Sequence, residues 1–402
     1  MNKQLWILLS GRILTNIADS MYMIAAVWFV KTAADSAFLV GLTSAVAMLP
    51  VTLQFLYGPL IDRFSKRKIL YIAQVGQGIL VGVIGILYLS SALWLPVLLL
   101  LMFLALSLSE ITYPTESALI KQLAADEKLT KVNSVFAFSY QTLDLVADAV
   151  SGILIAFIGL GYIFVSNSLL LIATGLLFFF YLSIPKTEKE KQPSALSFFQ
   201  QYREDFIEGY NAVKNQRTLL AILAGIIAIN VLATMGLAML PVISKSPAEY
   251  GFWLAAMSGG TLTGTLLASR LEHLPLNRIM PAVSFIAGIS WLLAFVTSGL
   301  FIIPYVFFFS SWIGIGILSI YIQTLIQVNL PEDYIGIGFA FLSSLLGSLS
   351  PIGYVLGGLL GEFSSGMLTL HIAGSGYFVF ALYFFLHPSL RRLDLPLSVK
   401  LD

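Results

Sequence analysis

The chain contains no cysteine and has few charged residues. With no cysteine among 402 residues, disulfides, thiolate metal sites and cysteine nucleophiles are excluded. Charged residues make up 11% of the chain, against about a quarter in an ordinary soluble domain, which is too few to cover a water-exposed surface. The 22 basic and 21 acidic residues leave a net charge of +1, which excludes a nucleic-acid-binding, disordered or secreted class.

Signatures of catalysis and of resident cofactors are also missing. The sequence has no HExxH pattern, no nucleophile elbow and no phosphate-cradling glycine loop. Its three histidines, His273, His371 and His387, fall near predicted helix ends without metal-ligand spacing. We therefore predict neither an enzyme nor a bound metal or cofactor.

Apolar residues, in contrast, are abundant. Twelve membrane-spanning helices of about 20 residues need about 240 mostly apolar residues, and the hydrophobic share of 58% of 402 residues is close to that number. Helices satisfy every backbone group inside lipid. The composition thus predicts an all-α polytopic membrane protein with twelve spans in two six-helix bundles.

The predicted spans fall into two groups of six. They lie at roughly 5–30, 38–60, 69–90, 94–120, 131–158, 161–184, 218–243, 250–269, 279–299, 302–329, 335–361 and 366–387. This arrangement predicts a first bundle over 1–184, a linker over 185–217, a second bundle over 218–388 and a tail over 389–402, and it suggests an internal duplication. Apolar residues at helical spacing in 200–217 predict an amphipathic surface helix within the linker.

Basic residues are distributed very unequally between the two sides. If the N-terminus lies inside, 19 of the 22 lysines and arginines fall on inside segments. This bias predicts that both termini are cytoplasmic and that the protein is a multi-pass component of the cell (plasma or inner) membrane. The first apolar segment lacks a small-residue cleavage pattern, so we interpret it as the first span.

A basic loop joins spans 2 and 3. Close helix approach at Gly58, the acid Asp62 and a basic run suit a latch that forms in one conformation and breaks in another. The alternative is a determinant of membrane topology without a mechanical role. The latch would consist of Gly58, Asp62, Arg63, Lys66 and Arg67.

The string from Gly58 to Lys68 resembles the loop 2–3 signature of the major facilitator superfamily, G-x-x-x-D-R-x-G-R-R/K, with Ser65 where glycine is usual. The resemblance is closest to the drug:proton antiporter branch that includes macrolide efflux proteins. Further stretches similar to that branch are 129–134, 208–215 and 351–358. The resemblance implies alternating access, efflux of drug-like compounds and multidrug resistance, with a proton gradient as the energy source.

Two departures from the branch concern proton coupling. Ala105 occupies the position of the usual span-4 arginine, and Asp148 that of a span-5 proline. Proton coupling in this chain would therefore have to use other groups.

Acidic residues inside the apolar spans supply such groups. They are Asp19, Glu110, Glu116, Asp144 and Asp148. Charged groups at such depth cost about 2.5 kcal/mol or more to insert and usually face a cavity or a partner. On span 1, Arg12, Asn16, Asp19 and Met23 share one stripe, which suits a cavity wall.

Two interpretations of these acids stay open. In the first they are structural links to Arg12, to hydroxyl groups or to the backbone, and we favour this for a structural ion pair between Arg12 and Glu116. In the second they carry protons or hold a cation, because burial favours the neutral form of a carboxyl group near neutral pH. We predict this second role for at least one of Asp19, Glu110, Asp144 and Asp148.

The spans of the second half carry no midplane acid or base. They offer soft apolar and uncharged polar side chains that adapt to varied ligands, although ordinary helix packing explains any single one of them. The predicted substrate cavity consists of Asn16, Met23, Asn230, Thr234, Met235, Trp253, Met257, Trp312, Gln323 and Tyr354.

Together these features predict a secondary active transporter that exports an amphipathic organic cation in exchange for protons. Its partners would be that small molecule, protons and the lipid bilayer, and a monomer would suffice. An importer, or a siderophore, metal or lipid carrier, is the alternative of the same class, since converging carboxylates also suit a divalent metal. A non-transporting receptor or a membrane enzyme is the alternative of another class.

Overall fold

The structure is a computed structural model that describes residues 2–53, 64–124, 129–184, 207, 210–211, 213–214, 216–329, 342 and 345–397. Within these ranges it gives no side-chain placement for 121, 129–131, 133–134, 137–138, 140–141 and 144–145. The latch residues Gly58, Asp62 and Arg63, and most of the predicted linker helix, lie outside the described residues.

Twelve long helices follow one another along these ranges. They are α1 (Lys3–Ala34), α2 (Ala37–Thr52), α3 (Lys66–Leu89), α4 (Leu95–Leu123), α5 (Leu129–Ile158), α6 (Leu160–Tyr181), α7 (Arg217–Leu237), α8 (Pro247–Leu271), α9 (Leu276–Val296), α10 (Ile303–Asn329), α11 (Ser350–Phe363) and α12 (Gly366–Leu386). Short helical segments at Leu240–Ile243 and Leu390–Arg392 complete the set, and the described ranges contain no strand.

Local signals at the helix ends explain several of these bounds. The Asn2 side chain accepts a hydrogen bond from the Leu5 amide at the start of α1, and Ser365 does the same for Leu368 at the start of α12. Such caps satisfy amides that the first helical turn leaves without partners. At the end of α1, Asp35 adopts a left-handed conformation with φ of 44°, which ends the helix and lets α2 begin two residues later.

Each predicted span overlaps one of the twelve helices, so the predicted all-α polytopic fold is confirmed. Eight of the helices are long and apolar enough to cross a membrane: α1, α3, α4, α6, α7, α9, α10 and α12. The other four, judged over their described residues, are α2, α5, α8 and α11.

The chain divides into two compact units. Unit 1 comprises Met1–Asp35, Val46–Ser197 and Ser244–Ala255, and unit 2 comprises Ser36–Ala45, Phe198–Ile243 and Ala256–Asp402. The domain bounds at 184, 217 and 388 are predicted from the order of membrane spans. The two compact units are defined by contacts between residues, so they do not test those bounds. The predicted bounds stay a prediction.

Helix packing repeats with an offset of six helices. In unit 1, α1 packs on α5 and α6, and α3 packs on α4 and α6; in unit 2, α7 packs on α11 and α12, and α9 packs on α10 and α12. The same four pairings thus occur in both halves of the chain. This repetition is what an internal duplication produces.

Each unit has its own apolar core. In unit 1, Leu8, Leu70, Leu119 and Phe178 join α1, α3, α4 and α6 and are completely buried. In unit 2, the buried Trp291 contacts the rings of Phe295, Phe308 and Tyr377, and its indole nitrogen donates to the Leu370 carbonyl oxygen over 2.8 Å. These cores fix the helices that carry the polar residues described next.

Glycine permits a close helix contact within unit 2. A side chain at Gly41 of α2 would come within 2.5 Å of the Tyr354 carbonyl oxygen, and one at Gly358 of α11 would meet the α2 backbone. Near the same contact, the Glu362 carboxylate accepts hydrogen bonds from the Ser36 hydroxyl and the Phe38 amide, at 2.9 and 3.1 Å. The start of α2 is thereby tied to the end of α11.

Candidate functional site

A half-buried carboxylate on α1 is the centre of the polar contacts in unit 1. Asp19 accepts a hydrogen bond from the Gln77 amide nitrogen of α3 at 2.6 Å and another from the Ser109 hydroxyl of α4 at 2.8 Å. The two bonds reach different oxygens of the same carboxylate. Asp19 therefore joins three helices through uncharged donors.

A second set of polar contacts lies one helical turn away. The Thr15 hydroxyl of α1 donates to the Gln74 side-chain oxygen of α3 at 3.1 Å, and the Gln74 amide nitrogen donates to the Thr112 hydroxyl of α4 at 3.2 Å. All three side chains are buried. Because polar groups inside a membrane need partners, these bonds fix α1, α3 and α4 against each other.

An ion pair continues this row of polar groups. Arg12 of α1 lies 3.2 Å from a carboxylate oxygen of Glu116 on α4, and their side chains are 7% and 3% exposed. The Arg12 guanidinium also stacks over the Tyr113 ring, 4.8 Å from its centroid. The structure thus brings together the two residues for which the sequence favoured a structural pair.

Glu110 is the third carboxyl group of this region. It is half-buried on α4, next to Ser109, and interacts electrostatically with Asp19 and Arg12. With the other described residues it forms neither a hydrogen bond nor an ion pair. Arg12 therefore forms an ion pair with Glu116, and the described side chains form no ion pair with Asp19 or Glu110.

The two acids of α5 are placed differently. The side chain of Asp144 is outside the described set, so only its position in α5 is given. Asp148 is half-buried, and its backbone oxygen lies at the close contact between α5 and Gly251 of α8. Neither is assigned to the Asp19 cluster by a described contact.

On α3, the two latch residues that the structure describes lie at the start of the helix. Lys66 is its first residue, and Arg67 donates to the Phe179 carbonyl oxygen while its guanidinium lies 5.6 Å from the Phe179 ring centroid. These contacts anchor the start of α3 on α6. The latch itself stays a prediction.

The residues predicted for the substrate cavity are scattered over the described helices. Asn16 and Met23 lie on α1 beside Asp19, Trp253 is a buried residue of unit 1, and Gln323 is exposed on α10.

In unit 2, several of these residues make packing contacts instead. The Asn230 amide donates to the Leu346 carbonyl oxygen at 3.3 Å, and the Thr234 hydroxyl donates within α7. Met235 and Tyr354 contribute backbone atoms to close glycine contacts, Met257 accepts a hydrogen bond from Thr261, and Trp312 packs on Phe308. A shared cavity stays a prediction for this set.

Metal ligands are not clustered in the described part of the chain. No group of three or more His, Asp or Glu side chains there is placed to hold a metal ion. Asp19 and Glu110 alone would offer a divalent cation fewer oxygens than it prefers.

Sequence reasoning missed the neutral partners of Asp19. Gln74 and Gln77 are three residues apart in the uncharged part of α3 that follows Lys68, so they occupy one helix face, and each is completely buried. Two glutamines on one face of a membrane helix are a usable signal, because an amide in lipid needs a partner. Ser109 gave no comparable signal, since serines are common along α4.

Apolar helices that carry a buried ion pair, further carboxyl groups and polar donors to them are typical of secondary transporters. Residues 8–353 match the model of the Major Facilitator Superfamily. The chain therefore belongs to the Major Facilitator Superfamily and is a multi-pass membrane transporter, which excludes the enzyme alternative.

A relative from Bacillus subtilis (strain 168) supports the same class. The chain is 24% identical over 396 residues to the uncharacterized MFS-type transporter YfiS, covering 92% of this chain and 90% of that protein. The relative identifies no substrate.

Solved structures share the fold at low identity. A nucleoside transporter, NupG, matches with a TM-score of 0.74 and 12% identity over 94% of this chain and 98% of its own. A bacterial homologue of the iron transporter ferroportin, in an inward-facing state, matches with a TM-score of 0.72 and 17% identity over 95% and 98%. These proteins differ in their transported molecules, so they support the fold and leave the substrate open.

Proposed function

We propose that the protein is a proton-coupled exporter of amphipathic organic cations, similar to the drug:proton antiporter branch. The observation that carries the proposal is Asp19, a half-buried carboxylate held by Gln77 and Ser109 while the nearby Arg12 is paired with Glu116. Among the described side chains Asp19 has hydrogen-bond donors and no ion-pair partner, and such a carboxylate can bind a proton or a cationic ligand. One carboxylate cannot hold a proton and a cationic ligand at the same time, because the proton neutralises the charge that attracts the cation.

This exclusion gives a mechanism for exchange. With the site open to the cytoplasm, ionised Asp19 attracts the cation. With the site open to the outside, a proton on Asp19 neutralises the carboxylate, weakens its hold on the cation and favours release. Loss of the proton to the cytoplasm then restores the binding charge, and access alternates between the two sides.

The amphipathic character of the substrate is inferred from the second half of the chain. Its predicted cavity residues are methionine, tryptophan, tyrosine and uncharged polar side chains, which suit varied apolar groups. The asymmetry between acids in the first half and soft side chains in the second favours a ligand with one cationic and one apolar part. We further propose that a monomer performs the transport.

A flux measurement tests this function. Purified full-length protein in liposomes with an acidic lumen should accumulate ethidium as protons leave, with the membrane potential clamped by potassium and valinomycin. Nigericin, which collapses the pH gradient, should abolish the accumulation. Uptake of Mn²⁺ or Fe²⁺ in place of ethidium would instead support a metal carrier, and the absence of gradient-driven ethidium flux would contradict the proposal.

We propose that both termini lie in the cytoplasm and that the protein resides in the cell (inner) membrane. The excess of basic residues on one set of loops supports this orientation. A green fluorescent protein fused to the C-terminus should fluoresce, because it folds in the cytoplasm, and an alkaline phosphatase fusion at the same point should be inactive. The reverse pattern would contradict the orientation.

A further inference from the structure

Asp19 is bonded on both oxygens by neutral donors that come from two other helices. Gln77 approaches one oxygen from α3 and Ser109 approaches the other from α4. The Gln77 side chain is completely buried, so water does not replace it readily. Hydrogen bonds donated to a carboxylate stabilise its charged form.

The charged and titratable groups around Asp19 act on it differently. On α1, Arg12 attracts the Asp19 charge while it is paired with Glu116, and Tyr22 lies one turn further along. On α4, Glu110 and Glu116 are carboxyl groups of the same sign as Asp19, so they disfavour its charge. From α3 the described contacts come only from the amides of Gln74 and Gln77, and from α6 Asn167 donates to the Ala18 carbonyl oxygen. On α5, the side chain of Asp144 is outside the described set, and Asp148 lies at the contact with Gly251.

We propose that Gln77, together with Ser109, is the positioning residue that lowers the proton affinity of Asp19 and sets the pH at which it takes up the transported proton. This inference rests on the proposed function, because it assigns a partner to the proposed carrier. Gln77 does not touch the substrate in this scheme. It acts through Asp19, by lowering the proton affinity of that carboxylate while no substrate is bound.

The chain contains a matched control for Gln77. Gln74 lies on the same face of α3, is equally buried and bonds Thr15 and Thr112, which carry no charge. Gln77→Leu and Gln74→Leu therefore remove the same buried amide, and only the first removes a donor from Asp19. If the glutamines were merely structural, both variants would behave alike.

Infrared spectroscopy can follow Asp19 without any ligand. In the purified protein, the protonated-carboxyl band that disappears in Asp19→Asn reports the protonation of Asp19 as the pH is varied. Gln77→Leu should move the midpoint of that band to higher pH by about one unit, from the strength of a hydrogen bond to a charged group. Gln74→Leu should leave the midpoint unchanged, and equal midpoints in wild type and Gln77→Leu would overturn the inference.

A second pair of variants guards against misfolding of the leucine variants. Ser109→Ala removes the other donor to Asp19, whereas Ser107→Ala removes a hydroxyl that donates within its own helix. The midpoint should rise in Ser109→Ala and stay constant in Ser107→Ala. A constant midpoint in both would contradict the shared role of the two donors.

Transport measurements distinguish a failure of this inference from a failure of the proposed function on which it rests. In the liposome assay, the pH dependence of ethidium flux should shift in Gln77→Leu in the same direction as the infrared midpoint. If the infrared midpoint shifts but Asp19→Asn still exchanges ethidium for protons, the positioning role stands and the carrier assignment fails. If Asp19→Asn abolishes exchange and Gln77→Leu shifts neither readout, the carrier stands and the positioning role fails.

Discussion

Replacing Asp19 with asparagine is expected to abolish ethidium accumulation driven by a pH gradient. The amide cannot release a proton, so it resembles a permanently neutral carboxyl group. Binding of the cation should weaken about ten- to a hundredfold, since a contact with a charged group contributes about 1.5–3 kcal/mol. Fluorescence titration of purified protein with ethidium, followed by flux in liposomes, measures both effects.

Glu110→Gln is expected to have a smaller effect of the same sign. Glu110 interacts electrostatically with Asp19 and has no described hydrogen bond, so its substitution changes the electrostatics around Asp19 more than any fixed contact. Asp394→Asn is the matched control, because it also removes one carboxylate, from a side chain that is 67% exposed and pairs with Arg278. Proton-coupled flux that persists in the double variant Asp19→Asn/Glu110→Gln would contradict the assignment of these two acids as carriers.

Removing Arg12 alone should have the largest effect on stability. In Arg12→Met, Glu116 loses its ion-pair partner at 3.2 Å in a site that is 3% exposed, so it must either bury an uncompensated charge or take up a proton. Breaking one side of a buried pair costs about 3–5 kcal/mol, because an uncompensated charge stays buried. Thermal melting of the detergent-solubilised variant should show a strongly lowered midpoint.

The double variant Arg12→Met/Glu116→Gln should recover most of that loss. It removes both charges, and neutral replacements for a buried pair are often tolerated. The deficit of Arg12→Met should also shrink as the pH falls, since protonated Glu116 no longer buries a charge. A double variant as unstable as Arg12→Met, at every pH, would show that Arg12 stabilises the protein through other contacts, such as that with Tyr113.

Much of the fold could be predicted from composition alone. A spanning helix must be long, apolar and internally hydrogen-bonded, so hydropathy locates α1, α3 and the other strongly apolar helices without knowledge of their neighbours. The caps at Asn2 and Ser365 act within one turn and can be recognised locally. The pairings between helices could not be predicted in this way, because apolar surfaces of similar composition do not specify which helix packs against which.

The candidate site was predicted only in part. The sequence identifies the charged members of the site, because a charge in lipid is costly and therefore needs a reason. These members are Asp19, Glu110, Arg12 and Glu116. Gln77 and Ser109 carry no charge, and their role depends on reaching the two oxygens of one carboxylate from different helices. That geometry depends on tertiary packing, which a single sequence does not record.

The hydrogen bond between the start of α2 and the end of α11 has a consequence for how the protein is made. The Glu362 carboxylate that accepts from the Ser36 hydroxyl is translated 326 residues after that serine. The contact between these two helix ends can therefore form only when most of the chain has been synthesised, so it belongs to the late steps in the assembly of unit 2.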